Sequence, residues 1–238
     1  MGTDLTAAPR RVDRRFYTLA GVVAALVILL GFGKTYYLKA VFGTPGLTPL
    51  VHLHGLVMTT WFLLFIVQAK LVAARRVDLH KKLGMFGALV ALAVLVVGPM
   101  TAITAARLGH APPGPPPLVF LVVPIGDMVV FATLVGTGLW YRARPDVHRR
   151  LMLLSCIGML TAAIARIPLD VVAKGGVPLY FGLTDLFVLS CLFYDRAKTG
   201  RFHPAFVTGA VFVILSHPAR LMFAGTALWM KWALWMVG

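Results

Sequence analysis

The sequence predicts an all-α polytopic membrane protein with seven transmembrane helices, one leading helix followed by three helical hairpins. Three observations predict it. Of 238 residues, 59% are hydrophobic and 13% are charged, whereas a soluble domain is about half apolar and about a quarter charged. The chain therefore lacks the polar surface needed to coat itself in water. The apolar residues gather into runs of the length, about 20 residues, that a helix needs to cross a hydrocarbon core about 30 Å thick. The basic residues fall in short clusters between those runs, the spacing left by short loops on one side of a membrane.

The same charge pattern excludes other classes. A net charge of +15 would suit a nucleic-acid partner only if the cations formed one continuous face, and here they are interrupted by apolar runs. Two cysteines cannot staple a secreted disulfide scaffold. With Cys156 and Cys191 both in the inner halves of their runs, packing is their expected role.

The runs lie at 16–38, 50–73, 83–107, 117–141, 149–171, 177–194 and 204–224, followed by an apolar tail to Gly238. The first is too long for the apolar core of a signal peptide and lacks a small-x-small cleavage site, so it reads as helix one. Residues 1–15 form a basic, cytoplasmic N-terminal segment, and 16–238 a single transmembrane domain with an interfacial C-terminal tail. The loops are short, as between antiparallel neighbours in a bundle. The exception, from His110 to Pro117, has the prolines of a stiff, extended connector. Ser216-His217-Pro218 is the expected kink in helix seven. Trp229, Trp232 and Trp235, three residues apart, read as an aromatic belt on an outer interfacial helix.

More than two thirds of the Lys and Arg residues fall on one side of the runs, in the clusters 10–15, 70–82, 142–150 and 196–201. The positive-inside rule then puts the N-terminus in the cytoplasm and, after an odd number of crossings, the C-terminus in the periplasm of a bacterial inner membrane. The lipid bilayer is the expected partner, with a membrane redox or assembly partner beside it and no nucleic acid.

Ionisable side chains inside a span cost about 2.5–3.5 kcal/mol each on insertion scales, so they face the bundle interior and mark function. Those on the outer half are His52, His54, Asp127, Arg166, Asp170, Asp185, His217 and Arg220. At 1.5 Å per residue, His54 and His217 fall in one outer layer, with Asp127 and Asp185 nearer mid-depth. His52 and His54 are about 200° apart around their helix, and His54 shares its stripe with Met58, Trp61 and Gln68, the more polar one, which should face protein.

Two histidines across a bundle suit the axial positions of b-type haem, with Arg166 and Arg220 neutralising the propionates. The absence of a Cys-x-x-Cys-His sequence excludes ordinary covalent haem attachment. The same His54 and His217 with Asp127 and Asp185 would instead suit zinc or non-haem iron and a metal-dependent hydrolase. A non-catalytic assembly subunit is the third class. Arg166 and Asp170, four apart, are expected to pair along one helix, leaving Arg220 as the better propionate partner.

A weak internal repeat opens three helices: Asp78-Leu79-His80-Lys81-Lys82-Leu83, Asp146-Val147-His148-Arg149-Arg150-Leu151 and, more loosely, Phe202-His203-Pro204. Asp78 and Asp146 read as helix N-caps or as partners of the basic cluster, and the units as anchors to anionic headgroups; neutral imidazoles there could also hold a metal or a second haem. The His-[Lys/Arg]-[Lys/Arg]-Leu segments resemble those of uncharacterised bacterial multi-helix membrane proteins, some of which look like haem-binding proteins or cytochrome oxidase assembly factors. The resemblance implies a haem-binding or assembly role; electron transfer or haem handling is the role expected of the His54 and His217 pair.

Overall fold

Prolines set where several helices begin. Pro49, Pro117, Pro145 and Pro204 each stand in the first turn of a helix, where a missing N–H costs nothing and φ is already helical. Thr48 caps the second helix by accepting from Val51 N at 3.4 Å. The computed structural model describes residues 14–112 and 114–238; residues 1–13, most of the basic N-terminal segment, lie outside the described residues.

The described elements are all helical: α1 (Arg14–Phe32), a π-helical turn (Gly33–Tyr37), α2 (Pro49–Ala73), α3 (Val77–Arg107), α4 (Pro117–Phe120), α5 (Val122–Trp140), α6 (Pro145–Ile157), α7 (Thr161–Ile164), α8 (Asp170–Thr199), α9 (Pro204–Ala224) and α10 (Ala227–Val237). Seven helical stretches among the described residues are long and apolar enough to cross a membrane. They fall on the seven runs of the sequence.

Side chains on the outer surface are apolar as well: Leu19, Leu30, Leu56, Leu89 and Leu215 are each about half exposed or more. A helix that is hydrophobic all round is the kind found in a membrane span or in the core of a larger assembly. The stretch Pro145–Ile164 is different, with 72% of its apolar window inside the protein against 17–44% for the rest. It is the central post. Leu153, Leu154, Cys156, Ile157 and Leu160 are fully buried there, against α1, α5, α8 and α9.

Three details depart from the sequence reading. The run 149–171 is not one helix: it breaks after Ile157, makes the single turn α7, and breaks again before Asp170, with Pro168 disfavouring helix at Ile167. The bend in the seventh helix does not interrupt it, since α9 continues through Pro218 to Ala224. The non-helical residue lies instead in α8, at Gly176 (φ 59°, ψ −163°), a conformation only glycine adopts without strain.

The tail forms α10, and its aromatic residues divide. Trp229 is 2% exposed and its indole Nε1 donates to Leu118 O at 2.9 Å, so it belongs to the core; Trp232 and Trp235 are exposed. Arg107, at the end of α3, closes the last turn by donating from Nε to Val237 O at 2.6 Å and from Nη2 to Met236 O at 3.3 Å, a cation on the negative end of a helix.

Candidate functional site

The helices leave a chamber of about 630 Å³ between α1, α2, α3, α5 and the α7 region, at the end of the bundle opposite the basic clusters. Its walls are mainly apolar, including Ile28, Phe62, Met128 and Met159. A few polar groups enter them, among them Tyr36, Tyr37, the imidazoles of His54 and His110, Thr101, Asp127 and Arg166. A concave, mostly apolar space of this size with few polar groups is the usual form of a small-molecule site.

Local irregularities build it. The π-helical turn brings Tyr36 and Tyr37 to the chamber, where Tyr37 shares a 2.7 Å hydrogen bond with Thr59 Oγ1, and Tyr36 donates to His52 O at 3.2 Å. The break after Ile157 turns Thr161 and Arg166 to the same space. The Arg166 guanidinium donates from Nη1 to Ala162 O at 2.8 Å and lies 5.0 Å from the Phe32 ring centre. His54 presents an imidazole that makes no hydrogen bond among the described residues. His52 does not line the chamber; its ring is 5.9 Å from that of Tyr36.

A buried ion pair forms part of the chamber wall. Arg220 on α9 donates from Nη1 to Asp127 Oδ1 on α5. The same guanidinium reaches Val123 O at 3.1 Å, Ser216 O at 3.1 Å and Ser216 Oγ at 2.9 Å. Such extra bonds are what allow a charged pair to be taken out of water. Gly126 makes the approach possible: a Cβ there would overlap Arg220 Cδ.

His217 lies one turn before Arg220, and the two share Phe181. The imidazole stacks on that ring at 4.1 Å, 7° from parallel, and the guanidinium sits 5.0 Å from its centre. His217 Nδ1 is 2.8 Å from Asp185 Oδ1, but off the hydrogen-bonding direction, so neither atom completes a bond, and His217 Nε2 has no partner either.

The sequence-predicted residues are thus divided between two places. His54, Asp127 and Arg166 line the chamber; His217, Asp185 and Arg220 do not. His217 is 2% exposed and packed against Phe181, so its imidazole does not meet that of His54 across the chamber. Among the described residues no group of three or more His, Cys, Asp or Glu could hold a metal ion; Asp127, expected as a ligand with Asp185, is occupied by Arg220. The expected Arg166–Asp170 pair is absent because the chain breaks between them. The two arginines therefore exchange roles: Arg220 is committed to Asp127, and Arg166 is the one at the chamber.

At the basic end a second clamp had no counterpart in the sequence reading. Arg150 on α6 donates from Nε to Asp195 Oδ2 at 3.0 Å and from Nη2 to Oδ1 at 2.9 Å, and from Nη1 to Asp146 O at 2.6 Å. Tyr17 Oη reaches Asp195 Oδ1 at 3.5 Å. The usable signal was that Asp195 is one of only 8 acids in a strongly basic chain. Asp78 and Asp146 make no cap bonds, since Arg76 and Arg144 hold the N-cap positions; they pair instead with Arg76, at 3.7 Å, and with His203 Nε2, at 2.9 Å.

Comparison with protein-family models, with curated proteins and with solved structures found no match.

Proposed function

We propose that this is an integral membrane protein that holds a small, mainly apolar ligand in the chamber beside α7, and that b-type haem is that ligand. The observation that supports the reading is the imidazole of His54, facing a partly open, mainly apolar space of about 630 Å³ and without a hydrogen bond of its own. An imidazole free of other bonds can supply an axial ligand to haem iron. Arg166 would meet a propionate, having donors left beyond its bond to Ala162 O and the planar geometry that suits a carboxylate. His217, Asp185 and Arg220 support the wall rather than the ligand. This replaces ligation by both His54 and His217 with ligation by His54 alone, and leaves electron transfer or haem handling as the roles.

The seven crossings are placed as one leading helix and three hairpins, N-terminus cytoplasmic and C-terminus periplasmic, in a bacterial inner membrane. The packing of α2 on α3, α5 on α6, and α8 on α9 supports the hairpins. The clustering of cations at one end of the bundle supports the orientation.

The deciding experiment is the visible spectrum of protein purified after expression with ample haem, oxidised and dithionite-reduced. A Soret band is expected, lost in His54→Ala and kept in His217→Ala. No Soret band in the wild type would overturn haem as the ligand, and loss of the band in a folded His217→Ala protein would restore the two-histidine arrangement.

A further inference from the structure

The repeat that opens α3 and α6 brings two imidazoles together at the basic end, and the atoms around them are incompletely bonded. His80 and His148 have ring centres 6.2 Å apart, at 78°. His148 Nδ1 is 2.7 Å from Gly138 O. A carbonyl only accepts, so Nδ1 carries the proton and Nε2 is left with a bare lone pair. This backbone-held tautomer is the arrangement that orients histidine ligands in metal sites.

Two further atoms beside this pair are buried and unsatisfied: His80 Nδ1 and Gln68 Oε1. Gln68 is on α2, and its main chain engages the ring of His80 in a hydrogen bond, so Nδ1 is the ring nitrogen left open. Its side-chain Nε2 lies 3.6 Å from where a Cβ of Gly84 would be, so the amide group, with Oε1 at its other corner, sits beside α3. Gly84 is one turn beyond His80 on the same face of α3, so amide and imidazole occupy neighbouring positions. A buried polar atom without a partner is costly, and two of them at the same imidazole pair call for a common occupant.

We propose that His80, His148 and Gln68 form a binding site for a divalent first-row transition-metal ion of borderline softness, Zn²⁺ being the type. An ion held tetrahedrally about 2.0–2.1 Å from one nitrogen of each imidazole puts the ring centres about 5 Å apart, so from the 6.2 Å found the rings have about 1 Å to close on an ion. Two imidazoles and an amide oxygen make a neutral, nitrogen-rich set, which favours Zn²⁺ over Mg²⁺ or Ca²⁺. No carboxylate completes it, because Asp78 pairs with Arg76 and Asp146 with His203. Lys81 and Lys82 next to His80 are exposed, so water and salt screen their repulsion. The site lies at the opposite end of the bundle from the chamber and does not depend on what the chamber binds.

The test is a titration of the purified, full-length protein, free of any histidine tag, with Zn²⁺ by calorimetry and with Co²⁺ by visible absorption. One ion per chain is expected. His80→Ala and His148→Ala should each weaken binding by about tenfold or more, while His203→Ala, whose ring is engaged with Asp146, leaves it unchanged. Gln68→Glu keeps both imidazoles and adds a charged oxygen, so it should tighten Zn²⁺ binding about tenfold, by analogy with the effect of ligand charge. That variant decides the matter if the alanine variants fail to fold. The proposal is overturned if the wild type takes up no Zn²⁺ at 100-fold lower concentration than the buffer salt (about 1 mM against about 0.1 M), showing that bridging water suffices. Wild-type affinity in a folded His80→Ala, His148→Ala double variant, or no tightening in Gln68→Glu, would overturn it equally.

Discussion

Arg150 holds Asp195 through both carboxylate oxygens with each side chain 2% exposed, and this joins the central post α6 to α8 at the basic end of the bundle. Asp127 and Arg220 join α5 to α9 toward the other end. The two clamps bracket the fold along its length.

Removing one partner of such a pair leaves a buried charge alone, which costs about 3–5 kcal/mol. Arg150→Ala and Asp195→Ala should each lose stability by this amount in reversible unfolding from detergent micelles. The double variant Arg150→Met, Asp195→Leu should recover most of it. Additive losses in the double variant would show that the pair is not coupled.

Gly126 and Gly136 lie on the same helix in opposite circumstances. A Cβ at 126 overlaps Arg220 Cδ, and one at 136 meets nothing within 4 Å. Gly126→Ala should therefore cost about 1–3 kcal/mol by overpacking, and Gly136→Ala should be neutral or slightly stabilising, since alanine is the better helix former. Thermal unfolding of the two single variants checks this, and equal midpoints would contradict the close approach of α9.

The tryptophans of α10 should behave as two classes. Trp229→Phe removes the bond to Leu118 O and should cost about 1 kcal/mol, because a part-buried acceptor loses its donor. Trp235, 82% exposed, should tolerate the same change within about 0.5 kcal/mol. Equal losses would return Trp229 to an interfacial position.

Arg166 and Asp170 provide a further contrast. With no ion pair between them, Asp170→Asn should leave stability unchanged, and with it the haem uptake proposed for the chamber. If the chamber holds haem as proposed, Arg166→Gln should reduce haem affinity about ten- to a hundredfold, a charge-assisted bond being worth about 1.5–3 kcal/mol. Haem titration of the apoprotein separates the two. A matching loss in Asp170→Asn would mean that the residues act together after all.

The seven long apolar stretches were legible in the sequence because each follows from local properties, about twenty apolar residues bounded by charge or by a first-turn proline; the π-helical turn and the single turns α4 and α7 were not. Residue chemistry also identified Asp127, Asp185, His217 and Arg220 as side chains that must find partners inside the bundle. Which partners they find could not be read this way. Depth along an axis is a sum over residues, but direction around it depends on the packing of neighbouring helices. His54 and His217, equal in depth, accordingly face different surroundings. Tertiary structure alone decided that Arg220 rather than Arg166 is neutralised, since this depends on a helix break at 158–169 and on the missing side chain of Gly126. It alone set Arg150 on Asp195, 45 residues away, because a long-range pair is chosen by which helices touch, and nothing local in a chain records that.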